Sequence, residues 1–165
     1  MKILVLSDSH SALSYMRRCV DVVKPDAILH LGDYYDDGQV IAEEYPEIRM
    51  LQVPGNCDCF RCDPHLPQTI ITKLFGVNLY MTHGHLHGVK SSIDRLLRDA
   101  RASKVDAVLY GHTHEEYCHL EEDGLWVMNP GTCGYGVRTA GLIEVEDNWI
   151  KRCRILRPET LEELA

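Results

Sequence analysis

Histidine is concentrated in one short stretch of the chain. The segment MTHGHLHG, residues 81–88, carries His83, His85 and His87 at alternate positions. Imidazole binds metal ions through a ring nitrogen and also carries protons near neutral pH. The stretch lies in the interior of the sequence rather than at a terminus, where a purification tag would stand. The spacing therefore predicts metal ligands, a proton carrier or both.

Further potential ligands occur at four other places, each directly after an apolar run. These segments are DSH (8–10), GD (32–33), GNCD (55–58) and GHTH (111–114). In an extended segment, residues i and i+2 project to the same side, so Asp8 and His10 would aim at one place, as would His112 and His114. A single Asp after a strand is usually a cap or a turn former, and Asn56 alone would be an ordinary turn residue. Their combination after successive strands predicts one shared site.

Apolar runs alternate with amphipathic segments along the first two thirds of the chain. Continuous apolar runs predict strands covered on both faces, and helical spacing of apolar residues predicts helices. The predicted strands span 2–7, 26–33, 47–56, 69–75, 77–82 and 105–112, and the predicted helices span 11–23, about 38–45 and about 93–100. Because the carboxyl ends of strands form the ligand crevice of open α/β sheets, the polar segments should meet at one edge.

The last third of the chain predicts antiparallel strands. Asp123-Gly124 and Asp147-Asn148 each stand between two strand-like stretches, as in β-hairpins, and residues 158–164 predict a short terminal helix. No linker or repeat interrupts the pattern. Residues 1–165 are therefore expected to form a single layered α/β domain.

Composition limits the classes of partner. The 165 residues include 45% apolar and 25% charged residues, the balance of a folded domain, and carry a net charge of −8. Such a charge argues against long nucleic acid as a partner but allows a small phosphorylated ligand if metal ions supply positive charge. The sequence contains neither a signal-peptide pattern nor a run near the roughly 20 apolar residues of a membrane span. We expect a cytoplasmic protein that does not bind membranes.

The seven cysteines are odd in number and mostly scattered, which predicts reduced thiols. CDCFRC, residues 57–62, is the exception, because Cys59 and Cys62 have C-x-x-C spacing and Cys57 is nearby. A zinc knuckle normally needs a second ligand pair, and a redox pair is expected at a thioredoxin-like strand-to-helix junction. A zinc or redox role for this cluster is therefore the minority hypothesis.

As a set, the motifs resemble those of the calcineurin-like metallophosphoesterase superfamily, in particular its small single-domain phosphodiesterase branch. The family pattern is D-x-H, G-D, G-N-x-[DE], a His beside Gly, and G-H-x-H. It is matched by DSH (8–10), GD (32–33), GNCD (55–58), THGH (82–85) and GHTH (111–114), and NPGT (129–132) resembles a further turn near the family's site. The resemblance implies a layered β-sandwich flanked by helices, with mixed sheets and antiparallel C-terminal strands.

The resemblance also implies two divalent metal ions per chain. Asp8, His10 and His114 would hold the first ion, Asn56, His83 and His112 the second, and Asp33 would bridge them. Oxygen and imidazole ligands without thiolate favour Mn²⁺, with Ni²⁺, Fe²⁺ or Zn²⁺ as alternatives. Paired ions lower the pKa of a shared water and support in-line attack on a phosphoester by the resulting hydroxide, with Asn56 also at the reacting centre.

Other residues near the motifs receive supporting roles. His85 is expected to face the substrate phosphate or to orient a ligand, and it is the candidate general acid. Many family members have a His where this chain has Cys57, and a thiol replaces an imidazolium poorly. Asp58 is expected to hold a neighbouring loop or histidine rather than to meet substrate. His87 is interpreted equally well as a surface residue. The isolated His30 is interpreted as a hydrogen-bonded or surface residue.

Phosphodiesters are the expected substrates. A monoester is largely dianionic at neutral pH, and Cys57 supplies no positive charge for the second negative one. The acidic residues Asp36, Asp37 and Asp58 would repel that charge further.

Two alternatives stay open. The chain could be a phosphomonoesterase, or it could resemble a retromer scaffold subunit that uses the same fold to bind proteins. Such scaffolds have lost part of the ligand set, whereas all seven ligand positions are filled here. The sequence leaves the substrate unnamed and is compatible with a homo-oligomer.

Overall fold

The computed structural model describes residues 1–60 and 62–165. One sheet consists of β1 (Lys2–Leu6), β2 (Ala27–His30), β3 (Arg49–Gln52), β9 (Ala140–Glu146) and β10 (Trp149–Leu156). The other consists of β4 (Thr69–Leu74), β5 (Val77–Thr82), β6 (Ala107–Leu109), β7 (Tyr117–Leu120) and β8 (Trp126–Asn129). The helices are α1 (Leu13–Val23), α2 (Tyr35–Glu44), α3 (Asp94–Ala102) and α4 (Pro158–Leu164), with single 3₁₀ turns at Asn56–Asp58 and His85–His87.

Both sheets are mixed, as expected. Strand order is β10-β9-β1-β2-β3 in the first sheet and β4-β5-β6-β8-β7 in the second. β1, β2 and β3 run parallel, and so do β5, β6 and β8, while β4, β7, β9 and β10 pair antiparallel. The two predicted C-terminal hairpins are β7–β8 and β9–β10. At the second, Asp147 and Asn148 both have positive φ, as a two-residue hairpin turn requires.

The largest part of the core lies between the two sheets. Ile3 and Val5 on β1 point into it and join Leu79 and Met81 of β5, all without solvent exposure. Successive side chains of a strand point to opposite faces, so the residues between them must be covered by something else. This is the physical reason for the continuous apolar run at 3–6, within the predicted strand 2–7.

Helices cover the outer faces of both sheets. Leu4 and Leu6 of β1 pack with Met16 and Val20 of α1, and Leu161 of α4 joins the same cluster. On the outer face of the second sheet, α3 buries the side chains of Leu96, Leu97 and Ala100. The predicted layered α/β sandwich is confirmed. In the described part of the chain, no helix is both long and apolar enough to span a membrane.

Several strands end earlier than the apolar runs predicted. The predicted strand 26–33 ends at His30, the predicted strand 47–56 ends at Gln52, and the predicted strand 105–112 ends at Leu109. In each case the omitted residues carry or precede the polar motif. The chain leaves the sheet there, so the motif side chains lie beyond the carboxyl ends of the strands.

Candidate functional site

All seven predicted ligand positions lie at one edge of the sandwich, in two groups. The first group consists of Asp8, His10, Asp33 and His114, each of which offers a ligand atom within 4.8 Å of the others. Nε2 of His114 lies 3.1 Å from Oδ1 of Asp8. Nε2 of His10 lies 3.8 Å from Oδ2 of Asp33.

The second group surrounds His83 on the other side of Asp33. Nε2 of His83 lies 3.0 Å from Oδ1 of Asn56 and 3.5 Å from Oδ1 of Asp33. The ring of His112 is centred 5.0 Å from that of His83. The two carboxylate oxygens of Asp33 therefore face different groups, Oδ2 towards His10 and Oδ1 towards His83.

The backbone at five of the seven candidate ligands is turned rather than extended. Positive φ angles occur at Asp8 (52°), His10 (43°), Asp33 (59°), His112 (71°) and His114 (61°). Residues other than glycine rarely adopt this conformation, which costs on the order of 1–3 kcal/mol each and is concentrated at functional sites. The prediction that extended geometry pairs Asp8 with His10 is wrong in its reason, because a left-handed turn brings these side chains together.

Buried hydrogen bonds hold this turned backbone. Oδ2 of Asp37 accepts hydrogen bonds from Ser9 Oγ at 2.7 Å and from the Ser11 N–H at 2.8 Å. Thr132 Oγ1 donates to the carbonyl of Asp8 at 2.9 Å, and Asn129 Nδ2 donates to the carbonyl of Gly111 at 3.1 Å. NPGT thus supports two of the motif loops through its first and last residues.

Two of the acidic residues near the motifs, Asp37 and Asp58, hold loops through hydrogen bonds. Asp37 is buried and holds the loop after β1, a role that its sequence position did not indicate. Asp58 is also buried, and it accepts hydrogen bonds from the backbone N–H groups of Gly55 at 2.7 Å and Tyr35 at 2.9 Å. The prediction that Asp58 holds a loop fits these contacts, and the prediction that Asp37 and Asp58 repel substrate charge stays a prediction. Asp36 is exposed.

The loops approach so closely that two positions require glycine. A Cβ atom on Gly111 would collide with Ser7 Oγ and would lie 2.8 Å from Asp8 Oδ2. One on Gly55 would collide with Oδ1 of Asp33. The glycines of the G-H-x-H and G-N motifs therefore allow the candidate ligands on different loops to meet.

Several polar atoms at this edge have no suitable partner within the described part of the chain. Oδ1 of Asp8 and Nε2 of His10 are buried and make no hydrogen bond there; His114 Nε2 is near Asp8 Oδ1 but not aligned for one. His83 Nδ1 lies 2.7 Å from the carbonyl of Leu31, which can only accept, so Nδ1 carries hydrogen. In the neutral ring, Nε2 then presents a lone pair to acceptor oxygens.

A cation would satisfy such a set of facing acceptors. An imidazole nitrogen whose partner nitrogen donates to a backbone carbonyl is also the usual form of a metal-ligating histidine. The residues present therefore fit divalent metal ions. The contacts themselves identify no particular metal.

Electrostatics hold Asp8 and His112 in forms that can bind cations. Burial tends to raise the pKa of Asp8, but His114, His83 and the hydroxyl of Ser7 outweigh it and bring that pKa below its ordinary value. Burial lowers the pKa of His112 to about 4, helped by His83, so its imidazole is neutral at pH 7. The nearby carboxylate of Asp8 raises the pKa of His114, so a cation there would compete with a proton.

The three histidines of MTHGHLHG have three different environments. His83 is buried within the second group, and the ring of His85 is centred 5.4 Å from that of His83 and 6.1 Å from that of His112. Burial lowers the pKa of His85. His87 points away from both groups, with its Nε2 3.1 Å from the hydroxyl of Tyr80 and 3.5 Å from Asp99. Its side chain is only 9% exposed, so the interpretation of His87 as a surface residue is wrong.

Cys57 takes part in the site mainly through its backbone. Its N–H donates to Oδ1 of Asp33 at 2.9 Å, and its thiol lies 3.6 Å from Nδ2 of Asn56. Burial and the neighbouring Asp33 raise the pKa of the thiol to about 11, which leaves it neutral. Within the described residues, Cys57, Cys59 and Cys62 do not gather as a metal-binding group.

Two tyrosines beside the first group were not predicted from the sequence. The rings of Tyr34 and Tyr135 are each centred 4.9 Å from that of His10. Tyr135 is 61% exposed and also stacks over His114, with ring centroids 6.5 Å apart. Tyr34 directly follows the G-D motif, whereas Tyr135 lies in a loop without a recognisable motif.

Residues 1–148 match the calcineurin-like phosphoesterase superfamily domain. The chain belongs to this superfamily. The resemblance inferred from the motifs is confirmed. Membership of this superfamily, together with the candidate metal cluster, supports a metal-dependent phosphoesterase.

Individual relatives agree with this assignment. Phosphodiesterase MJ0936 from Methanocaldococcus jannaschii is 28% identical over 163 residues, which cover 88% of this chain and 94% of the relative. The crystal structure of a predicted phosphoesterase from Streptococcus pneumoniae has a TM-score of 0.74 at 27% identity, covering 96% of this chain and 90% of that one.

The same architecture occurs in a protein named Vps29. Vps29 from Entamoeba histolytica, whose crystal structure contains Zn²⁺, has a TM-score of 0.71 over 95% of this chain and 99% of its own. It is 20% identical, a level at which the likeness shows the fold alone.

Proposed function

We propose that this calcineurin-like phosphoesterase hydrolyses small phosphodiesters with two divalent metal ions held at the edge of the sandwich. The observation that carries the proposal is the position of Asp33 between the two ligand groups. Its carboxylate oxygens lie 3.8 Å from His10 Nε2 and 3.5 Å from His83 Nε2. A single residue shared in this way is suited to bridge two cations.

The donor set indicates how the ions would be held. Asp8, His10 and His114 would hold the first ion, Asn56, His83 and His112 the second, and Asp33 both. Oxygen and nitrogen donors without thiolate suit Mn²⁺ best, with Ni²⁺, Fe²⁺ and Zn²⁺ as alternatives. When bound, a pair of such ions lowers the pKa of a shared water and neutralises charge on the phosphate.

The protein's own residues orient the reaction. His85 lies beside the second group, where its ring N–H can donate to a phosphate oxygen, and it is the candidate donor of a proton to the leaving oxygen. Asn56 offers its amide at the same place. Asp37 and Asp58 keep the ligand loops in position through the buried hydrogen bonds described above.

The preference for diesters rests on Cys57. Its neutral thiol occupies the place where an imidazolium could stabilise the second negative charge of a monoester. A diester carries one negative charge and does not need that help. The nearby carboxylates of Asp36, Asp37 and Asp58 would add to this preference by repelling the second negative charge.

A protein-binding scaffold is the alternative function. Vps29 shares this fold, but its likeness to this chain extends only to the fold. The complete set of candidate ligands and their convergence favour the enzyme.

Hydrolysis by metal-stripped and reloaded protein tests the proposal. The protein is reloaded separately with Mn²⁺, Ni²⁺, Zn²⁺ and Mg²⁺ and assayed with bis(4-nitrophenyl) phosphate and 4-nitrophenyl phosphate, which share a leaving group. We expect no turnover without metal and a higher kcat/KM for the diester with Mn²⁺. Full turnover in metal-free protein contradicts the metal requirement. A clear monoester preference contradicts the substrate class, and binding of two ions without any hydrolysis favours the scaffold.

A further inference from the structure

We propose that a groove next to His85 binds one uncharged ring-sized ester substituent of the substrate. This inference rests on the proposed function and adds a substrate preference to it. The groove has a volume of about 250 Å³ and extends from His85 and Gly55 to Cys62 and Pro64. Pockets for whole drug-sized ligands usually measure roughly 300–1,000 Å³, so this one suits a single ring rather than a complete diester.

The groove is continuous with the candidate metal site. His85 lines it, and the same imidazole is centred 6.1 Å from the ring of His112. At the other side, Gly55 lines the groove and directly precedes Asn56. A phosphate placed at the two ligand groups would therefore have one of its ester substituents directed towards this groove.

Leu86 gives the groove an apolar wall, and its side chain is not buried in the core. Its side chain is 54% exposed although both flanking histidines turn inward. Its carbonyl accepts a hydrogen bond from Arg95 at 3.1 Å, which helps to hold this short turn. Pro54 and Pro64 also line the groove and add rigid apolar surface. A ring bound there would cover surface that is otherwise open to water.

The charge of the groove disfavours an anionic substituent. Asp63 lines it and is exposed, and the described residues that line it include neither lysine nor arginine. Asp63 also accepts a hydrogen bond from the N–H of His65 at 2.9 Å, which keeps its carboxylate within the loop. A substituent that carries its own carboxylate or phosphate would meet repulsion there.

Symmetric diesters test the charge preference, because both substituents are then identical and either one can enter the groove. Values of kcat/KM are measured for diphenyl phosphate and bis(3-carboxyphenyl) phosphate with the wild type, Asp63→Asn and Asp147→Asn. For each ester, dividing the kcat/KM of a variant by that of the wild type cancels the intrinsic reactivity of the ester. We expect Asp63→Asn to raise kcat/KM for the carboxylated diester about threefold relative to diphenyl phosphate. Asp147→Asn removes the same charge in the β9–β10 turn and should change neither ratio.

A second pair of variants tests the contact with the apolar wall. Leu86→Ala should raise KM for diphenyl phosphate about fivefold with little change in kcat, because a remote contact stabilises ground and transition states alike. Ile71→Ala removes an aliphatic side chain that is 55% exposed on β4, and it should leave both constants unchanged. Equal effects of Leu86→Ala and Ile71→Ala overturn the apolar contact.

Thiol alkylation tests the groove without turnover. Cys59 and Cys62 line it, whereas Cys118 lies in a separate cavity. Diphenylphosphinate carries the same two rings on P–C bonds that cannot be hydrolysed. At saturation we expect it to slow alkylation of Cys59 and Cys62 by iodoacetamide several-fold and to leave Cys118 unchanged. Peptide mass spectrometry assigns each modified thiol.

The outcomes separate the inference from the proposed function. Protection of Cys59 and Cys62 without hydrolysis of any diester contradicts the proposed function and supports the groove as a binding site. Hydrolysis without protection, together with unchanged ratios in Asp63→Asn, overturns the groove and leaves the phosphodiesterase intact.

Discussion

The backbone N–H of Cys57 donates a hydrogen bond to Oδ1 of Asp33 at 2.9 Å. This bond links the G-N and G-D motifs and does not involve the thiol. The side chain of Cys57 can therefore be changed while the position of Asp33 is preserved.

We expect Cys57→His to raise phosphomonoester turnover. An imidazolium at this exposed position would supply the positive charge that a dianionic ester lacks in the wild type. The measurement is kcat/KM for 4-nitrophenyl phosphate with the Mn²⁺-loaded protein, and a rise of about tenfold is expected. Cys59→His, two residues away, is the control. An unchanged monoester rate in Cys57→His would show that the thiol does not set the preference.

Asp33→Asn should impair binding of both metal ions, because one carboxylate faces both ligand groups. Elemental analysis is expected to fall from two ions per chain to below one. The stabilisation of the folded protein by Mn²⁺ should fall in parallel, since a ligand that binds only the folded state raises its stability. The exposed Asp36→Asn is the matched control, and retention of two ions by Asp33→Asn would refute the bridging role.

His83→Phe should abolish hydrolysis and weaken the second metal site while the sandwich survives. The ring is buried and its Nδ1 donates to the carbonyl of Leu31. The variant leaves that carbonyl without its donor, which lowers the free energy of unfolding by about 1–3 kcal/mol. If His83→Phe does not fold, His83→Gln supplies a smaller polar side chain for the same assays. His87→Ala, outside the site, should lose some stability through Tyr80 but keep activity. An active His83 variant contradicts the assignment.

Asp37→Ala should destabilise the loop after β1. Its carboxylate accepts from Ser9 Oγ and the Ser11 N–H, and the unmade hydrogen bonds cost on the order of 2 kcal/mol in the free energy of unfolding. Urea denaturation measures this value. The neighbouring exposed Asp36→Ala is expected to stay within about 0.5 kcal/mol of the wild type. Equal stability of the two variants would show that Asp37 does not hold the loop.

His30 should make the stability of the metal-free protein depend on pH. Burial lowers its pKa from 6.5 to about 4 in the folded protein. As the pH falls from about 6.5 to about 4, the unfolded chain takes up a proton that the folded protein excludes, so stability is lost in this window. Between those limits the wild type should lose on the order of 2–3 kcal/mol more than His30→Gln, measured by urea denaturation with a chelator present. Parallel pH profiles of the two proteins would exclude this effect.

The types and order of the candidate ligands, and the elements that carry them, could be predicted from the amino-acid sequence. Strong local signals were sufficient for this. The run at 3–6 is apolar at every position because β1 is covered on both faces. The hairpin turn at Asp147-Asn148 uses residues that tolerate positive φ. Motif residues that follow parallel strands then had to meet at one edge of the sheets.

The contacts of each polar residue at that edge could not be predicted in this way, because they depend on the folded arrangement of the loops. His83 and His87 stand in the same local pattern, yet one faces Asp33 and the other faces Tyr80. Asp37 holds Ser9 from 28 residues away, and Thr132 holds Asp8 from 124 residues away. Such partners are chosen by the packing of distant loops and by left-handed backbone that no local spacing reveals. The direction of each side chain is therefore a property of the folded chain.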